Sequence, residues 1–259
     1  MNKVTISIAL YNNLQYTKQC LGALFTNTPP IYDLVIVDNG STDGTRDWLT
    51  ALSKRKDIPV PVTILINSEN MNFAGAHNQA FEHCKTDYFL LLNNDTIPMK
   101  DWLEPMIEAM EANEDVKVVG SKLISPIYTG VQHAGVVFRE DCTPTHINLG
   151  KPIYDNDVNN GGRCPSVTGA CMMIDSEIYR ILKGLEEEYK NGWEDTSFNL
   201  KVRQMGYSIW YEPKSVLWHY EGKTEGRLTN ETPNRKLFMA RWGDEIFKWG
   251  NKDIHKERK

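Results

Sequence analysis

The side chains able to do chemistry in this chain gather at a few short polar stretches. Asn93-Asn94-Asp95 closes the apolar run Tyr88-Phe-Leu-Leu-Leu92 and is followed by Thr96-Ile-Pro98. A carboxylate there is a hard oxygen donor, suited to Mg²⁺ or Mn²⁺ carrying a diphosphate. The ordinary alternative for such a triplet is a turn or a helix cap. Asp38 ends the run Leu34-Val-Ile-Val37, and Tyr11 follows Val4–Leu10. A tyrosine ring can stack on a base, and a carboxylate can accept a hydrogen bond from a pyrimidine imide; plain packing and turn roles stand beside these readings. Glu194-Asp195 comes after Asn191-Gly192-Trp193 at the start of a helical pattern. Acids are favoured in any first helical turn, so catalysis and simple helix-end electrostatics both remain open. His219 ends a short apolar run. Trp193 and Trp218 offer apolar faces to sugar rings or to a core.

These residues need a frame that brings them together. Val4–Leu10, Leu34–Val37, Val62–Ile66 and Tyr88–Leu92 read as buried strands. Helical patterns alternate with them: Leu14–Phe25 behind Asn12-Asn13, a helix through Trp48 and Leu52 capped by Thr42 or Asp43, and Phe73–Cys84. This rhythm predicts a parallel sheet wound on both faces, with its polar turns on one edge. Beyond Asp95 the pattern predicts a helix over Trp102–Met110. Strands are expected over Val116–Gly120, Lys122–Pro126, Val131–Phe138, Val167–Ile174, Ser208–Tyr211 and Val216–His219. Helices are expected over Ser176–Leu182, Thr196–Met205 and Glu231–Trp249, and residues 139–165 read as one long loop. In the last helix Phe238, Trp242, Ile246 and Trp249 share a face flanked by Arg235, Lys236, Arg241 and Lys248. That face suits packing on the domain, a second subunit in a homodimer, or an anionic membrane surface.

Composition bounds the function. The 259 residues are 41% hydrophobic and 24% charged, with a net charge of −5. No electrostatic case exists for nucleic acid as the main partner. No stretch is long and apolar enough for a membrane span, and no signal peptide is read at the N-terminus. Five cysteines without a CxxC pair read as reduced thiols in a cytoplasmic protein, not as a zinc site. A GxGxxG loop after the first strand, which a dinucleotide-binding enzyme needs, is missing; Ala9-Leu-Tyr-Asn-Asn13 stands there.

In order along the chain, Ser7-Ile-Ala-Leu-Tyr-Asn12, Val35-Ile-Val-Asp-Asn-Gly-Ser-Thr-Asp43, Asn70-Met-Asn-Phe-Ala-Gly-Ala-His-Asn78 and Leu91-Leu-Asn-Asn-Asp-Thr96 resemble the successive signatures of family 2 glycosyltransferases, rhamnosyltransferase-like members in particular. Gly169-Ala-Cys-Met-Met-Ile174, Gly192-Trp-Glu-Asp195 and Trp218-His219 continue the resemblance. It implies a GT-A fold, an α/β architecture with a mostly parallel twisted sheet, flanking helices and a small antiparallel portion. A transferase domain would cover residues 1–225, its donor half 1–98 and its acceptor half 99–225, with a helical extension over 226–259.

The resemblance also assigns roles. Ala9, Tyr11 and Asp38 would hold the nucleoside of a nucleotide-sugar, a UDP- or dTDP-sugar if Asp38 reads the base. Asn70 and Asn78 would line the donor pocket, Asn93 the ribose side, and Asn94 its neighbour. Asp95 and His219 would hold Mn²⁺ or Mg²⁺. Asp195 would be the general base, with Glu194 and Trp193 on the acceptor. The acceptor would be a hydroxyl of a glycan, lipid-linked or protein substrate in bacterial surface glycoconjugate synthesis. Departures are visible. Asn72 stands where many members carry glycine, His77 stands near an arginine of other members, and Asp95 is the only acid of its triplet. The last point keeps a non-catalytic binding protein with a decayed site in view. A sugar nucleotidyltransferase is disfavoured, because Tyr11-Asn12-Asn13 is not a glycine- and arginine-rich loop.

Overall fold

A computed structural model describes residues 2–127, 130–222 and 227–254. The first half follows the expected rhythm: β1 (Val4–Leu10), α1 (Leu14–Asn27), β2 (Tyr32–Asp38), α2 (Thr45–Leu52), β3 (Val62–Ile66), α3 (Asn72–Phe81) and β4 (Tyr88–Asn93). The second half runs β5 (Thr96–Pro98), α4 (Glu104–Ala112), β6 (Val116–Ile124), β7 (Val131–His133), β8 (Val136–Phe138), β9 (Pro144–His146), β10 (Gly162–Cys164), β11 (Cys171–Asp175), α5 (Ser176–Ile181), α6 (Glu194–Gln204) and β12 (Ser208–His219). A 3₁₀ turn (Arg227–Asn230) leads into α7 (Glu231–Ile254).

Ten strands form one sheet in the order β10-β12-β6-β11-β4-β1-β2-β3, with β5 added on β12 and β7 on β6. Strands β1 to β4 are parallel, and β11 joins β4 antiparallel. Alternation along β1 sends Ile6, Ile8 and Leu10 into a core with Leu21 and Leu24 of α1, Leu49 of α2 and Met106 of α4. On the opposite face Val35, Val37 and Leu91 pack with Ala76 of α3, Tyr179 of α5 and Phe198 of α6. Burying both faces explains why these strands are continuously apolar.

Where boundaries differ from expectation, the cause is tertiary. Gly120 does not end a strand; β6 runs through it as one nine-residue strand. A Cβ on Gly120 would lie 2.4 Å from the Val167 Cβ, so glycine there serves close approach. Likewise β12 is one twelve-residue strand, with a register irregularity between Glu212 and Val216 that accommodates Pro213. The strand expected over Val131–Phe138 breaks at Gly135 (φ 97°), and β8 leaves to pair with β9. The loop over 139–165 contains β9 and β10. Asn12 and Asn13 adopt φ 56° and 61° and do not cap α1 with their side chains. Asp43 takes that role from across the sheet edge, accepting from Leu14 N–H at 2.9 Å and from Thr45 N–H at 3.1 Å.

α7 is not a free extension. Phe238, Trp242 and Ile246 are buried with Leu200 of α6, Phe138 of β8, Tyr189 and Trp193. The Trp242 indole donates to Ser197 Oγ at 2.9 Å, and Arg241 pairs with Glu186 at 2.7 Å. The apolar face of this helix is thus covered by the chain itself. No helix among the described residues is long and apolar enough to cross a membrane.

Candidate active site

Parallel register gathers the polar turns. Leu10 lies opposite Asp38, and Ala9 opposite Asn93, so the turns after β1, β2 and β4 meet at one sheet edge. They border an open cleft. Ala9, Tyr11, Asn70, Asn93, Asn94 and Asp95 line it from the first half; Glu194, Asp195 and His219 line it from the second. Its described lining holds three carboxylates, one imidazole, and no lysine or arginine.

His219 reaches Asp95 through a strand pairing invisible in local sequence. β5 runs antiparallel to β12 with Thr96 opposite His219. Asp95 Oδ1 then lies 3.2 Å from His219 Nε2, and both residues are buried. The other ring nitrogen is fixed by Gln132. Gln132 Nε2 donates to Glu221 Oε2 at 2.8 Å, which turns its Oε1 toward His219 Nδ1 at 2.5 Å. In a neutral ring this network puts the N–H on Nδ1; Nε2 then lies between Asp95 Oδ1 and the Asn93 amide, whose Nδ2 is 3.5 Å away. A lone pair and a carboxylate oxygen facing each other at 3.2 Å repel unless a proton or a metal ion lies between them. A proton on Nε2 makes the contact an ion pair; with the ring neutral, the carboxylate oxygen and the imidazole held by an outer hydrogen bond fit a hard or borderline divalent cation. The described residues contain no group of three or more such ligands, so diphosphate oxygens and water would complete the shell. Nothing in the local sequence marks Gln132; only the β6–β7 hairpin brings it behind His219.

The opposite wall carries the acidic pair. Asp195 Oδ2 accepts from Gly169 N–H at 2.7 Å and Oδ1 from Thr196 N–H at 2.7 Å. Glu194 Oε2 accepts from Gly192 N–H at 2.6 Å. Gly169 is needed for this approach, since a Cβ would meet the Phe73 ring at 3.1 Å and Asp195 Cβ at 3.2 Å. Asn191 and Trp193, just before the pair, hold φ values of 55° and 79°. For a residue as bulky as Trp193 that is an outlier costing about 1–3 kcal/mol, of a kind that clusters at functional sites.

On the donor side, Asn39 ties the turns together. It donates to Asn70 Oδ1 (2.9 Å) and Asn72 O (3.1 Å), and accepts from Met71 N–H (2.9 Å). Asn72 takes φ 61°, within the tolerance of asparagine for the left-handed region. Asn94 Nδ2 donates to Thr17 Oγ1 at 3.0 Å.

Three assigned residues lie elsewhere than the resemblance implies. Asp38 is fully buried outside the lining, its Oδ1 accepting from Ser41 N–H at 3.0 Å and its Oδ2 near Arg46 Nε at 3.5 Å. Asn78 is turned away: its Oδ1 accepts from Tyr179 OH (2.7 Å) and Leu185 N–H (2.9 Å), and its Nδ2 donates to Leu185 O (2.9 Å). The donors of α5 and the following loop saturate it, so it locks α3 to that loop. Trp193 is buried outside the lining, its ring 4.9 Å from Phe238 and its Nε1 donating to Glu231 at 3.2 Å. Trp218 also lies outside the lining. His133 and His146 face each other through Nδ1 at 2.9 Å, away from the cleft. His77 is buried on α3 against Ser7 Oγ (2.7 Å) and cannot reach a donor diphosphate.

A family model described as Glycosyl transferase family 2 matches residues 5–182. The chain belongs to this family. The match includes Asp95 but ends before Asp195 and His219. A protein of Sinorhizobium fredii, described as uncharacterized, is 30% identical over 223 residues, which is 81% of this chain and 23% of the relative. An uncharacterized glycosyltransferase of Haemophilus influenzae is 25% identical over 239 residues, 89% of this chain and 69% of the relative. The chain thus spans under a quarter of the first of these relatives. The mannosyltransferase PcManGT of Pyrobaculum calidifontis, solved in complex with GDP-Man and Mn²⁺, superposes with a TM-score of 0.69 at 19% identity, over 94% of this chain and 64% of its own. That likeness carries the fold, which is GT-A.

Proposed function

We propose that the cleft transfers a sugar, with inversion at the anomeric carbon, from a nucleoside diphosphate donor to a hydroxyl of a glycan, lipid-linked or protein acceptor in bacterial polysaccharide or glycoconjugate synthesis. The observation that carries this reading is one cleft with two chemically distinct walls. Asp95 faces His219 Nε2 on one, and Asp195 is anchored by backbone N–H groups on the other. Asp195 takes the proton of the attacking hydroxyl as its oxygen bonds to the anomeric carbon and the diphosphate leaves. Gly169 and Thr196 N–H groups fix the plane of that carboxylate, and Glu194 orients the acceptor hydroxyl. Asp95 and His219 would hold a divalent cation, which when bound would supply charge compensation for the leaving diphosphate. The described lining offers no cationic side chain for that task. Tyr11, Ala9, Asn70 and Asn93 contact the nucleoside side of the donor. Inversion follows from the family resemblance together with a single base. Because Asp38 does not reach the cleft, it gives no ground for preferring a pyrimidine base.

The test is calorimetric titration with UDP-, dTDP- and GDP-sugars, each with and without Mn²⁺. One donor is expected to bind only when Mn²⁺ is present. Absence of metal-dependent binding across the panel overturns the proposal and favours a binding protein without transfer activity.

A further inference from the structure

We infer that Asn234 of α7 is a positioning residue for the Glu194-Asp195 pair, so that the C-terminal helix is a working part of the transfer site. This rests on the reading of Asp195 as the base. The corner 190–193 is gripped from two sides. On the cleft side, Asn191 Oδ1 accepts from Phe73 N–H at 3.0 Å, joining the corner to the start of α3. Gly192 N–H holds Glu194 as described. On the outer side, Asn234 is 3% exposed and spends its whole amide on the corner. Its Oδ1 accepts from Lys190 N–H at 3.1 Å, and its Nδ2 donates to Lys190 O at 3.1 Å and Gly192 O at 3.0 Å.

Glu231, Asn234 and Phe238 recur at intervals of three and four residues, so they share one face of α7. All three meet the corner: Glu231 takes the Trp193 indole N–H, Phe238 packs on the Trp193 ring, and Asn234 holds the backbone. Trp193 sits in the left-handed region, which so bulky a residue leaves unless the surroundings hold it. Asn234 hydrogen-bonds the backbone of the residues on either side of Asn191, the Lys190 N–H and C=O before it and the Gly192 C=O after it. Its side chain meets two backbone carbonyls and one N–H at once, a set that only a carboxamide in this orientation offers. Releasing the corner frees the backbone that leads directly into Glu194 and Asp195, while Asp95, His219 and the donor-side turns remain anchored to the sheet.

The experiment compares wild type with Asn234→Ala, Asn234→Asp, Ile246→Ala and Asp195→Asn as full-length chains. Turnover is read as hydrolysis of whichever UDP-, dTDP- or GDP-sugar binds most tightly with Mn²⁺, and donor affinity by calorimetry. For N234A, kcat is expected to fall tenfold or more while donor affinity and KM stay within twofold. N234D is expected to be at least as impaired, because it places a carboxylate oxygen against two carbonyls. Ile246→Ala loosens the same helix away from the corner and is expected to lower the melting temperature with kcat retained. A wild-type kcat in N234A, or an equal kcat loss in I246A at matched melting temperature, overturns the inference. Should N234A not yield folded protein, N234S is judged by the same criteria. D195N separates the two readings: turnover retained there refutes the base assignment itself, whereas an inactive D195N beside an unaffected N234A refutes only the role of Asn234.

Discussion

His77 offers a quantitative test of how the donor side is built. It lies in the stretch Asn70–Asn78, one of those that carry the resemblance to the family. In this fold its ring is buried, its Nδ1 meets Ser7 Oγ, and its Nε2 has no hydrogen-bond partner. Burial pushes the imidazole down from 6.5 to about 3. Below pH 6.5 the unfolded chain therefore binds a proton that the native chain refuses until about pH 3. The stability tied to this neutral ring is fully present above pH 6.5 and is lost as pH falls through that window. The loss follows from about 1.4 kcal/mol per pH unit, giving about 0.8 kcal/mol at pH 6 and about 2 kcal/mol at pH 5. Urea unfolding of wild type and His77→Gln at pH 7, 6 and 5 measures it. The variant has a different baseline stability, but that offset cancels in the pH dependence. Wild type is expected to lose about 2 kcal/mol more than the variant between pH 7 and pH 5. Parallel pH profiles would show that His77 titrates normally, as a ring open to the cleft would, and would refute its buried placement.

Other expectations follow from the site and the sheet. With Asp195 as the proposed base, Asp195→Asn should lower turnover by about 10²–10⁴-fold, with calorimetric donor affinity unchanged; a variant that still turns over moves the base elsewhere. Gln132→Leu removes the acceptor that sets the His219 tautomer and should weaken Mn²⁺ binding in the presence of donor by about 10–100-fold. Free-Mn²⁺ electron paramagnetic resonance reads this directly, and wild-type affinity would sever Gln132 from the site. Gly120→Ala forces a methyl against Val167 and should cost about 1–3 kcal/mol in denaturant unfolding. Adding Val167→Ala should recover much of that cost, and no recovery would place the strain elsewhere.

The first half of the fold was legible because its signals are local. Alternating apolar strands and amphipathic helices at short spacing leave few topologies, and right-handed parallel winding places Tyr11, Asn39 and Asn93 on one edge. The second half was less legible because its interruptions have distant causes. The strand end expected at Gly120 is absent because glycine there answers to Val167, and the gap expected between Tyr211 and Val216 is an irregularity within β12 at Pro213. Among site residues, Asp95, Glu194, Asp195, Asn70 and His219 all face the cleft. Asp38, Asn78 and Trp193 carry equally suggestive side chains and are spent on structure.

The sequence by itself determined the order of elements as far as β4, the edge at which polar turns collect, and the family. Tertiary structure decided which polar groups at that edge stay available. Most buried donors and acceptors find partners, and here those partners come from remote parts of the chain. Tyr179 and Leu185 claim Asn78, the turn at Ser41 claims Asp38, and Gln132 turns His219 so that its Nε2 meets Asp95. Asn93-Asn94-Asp95 is a polar turn in the sequence. It becomes one wall of a candidate transfer site because β12 returns antiparallel to β5 and sets His219 beside it.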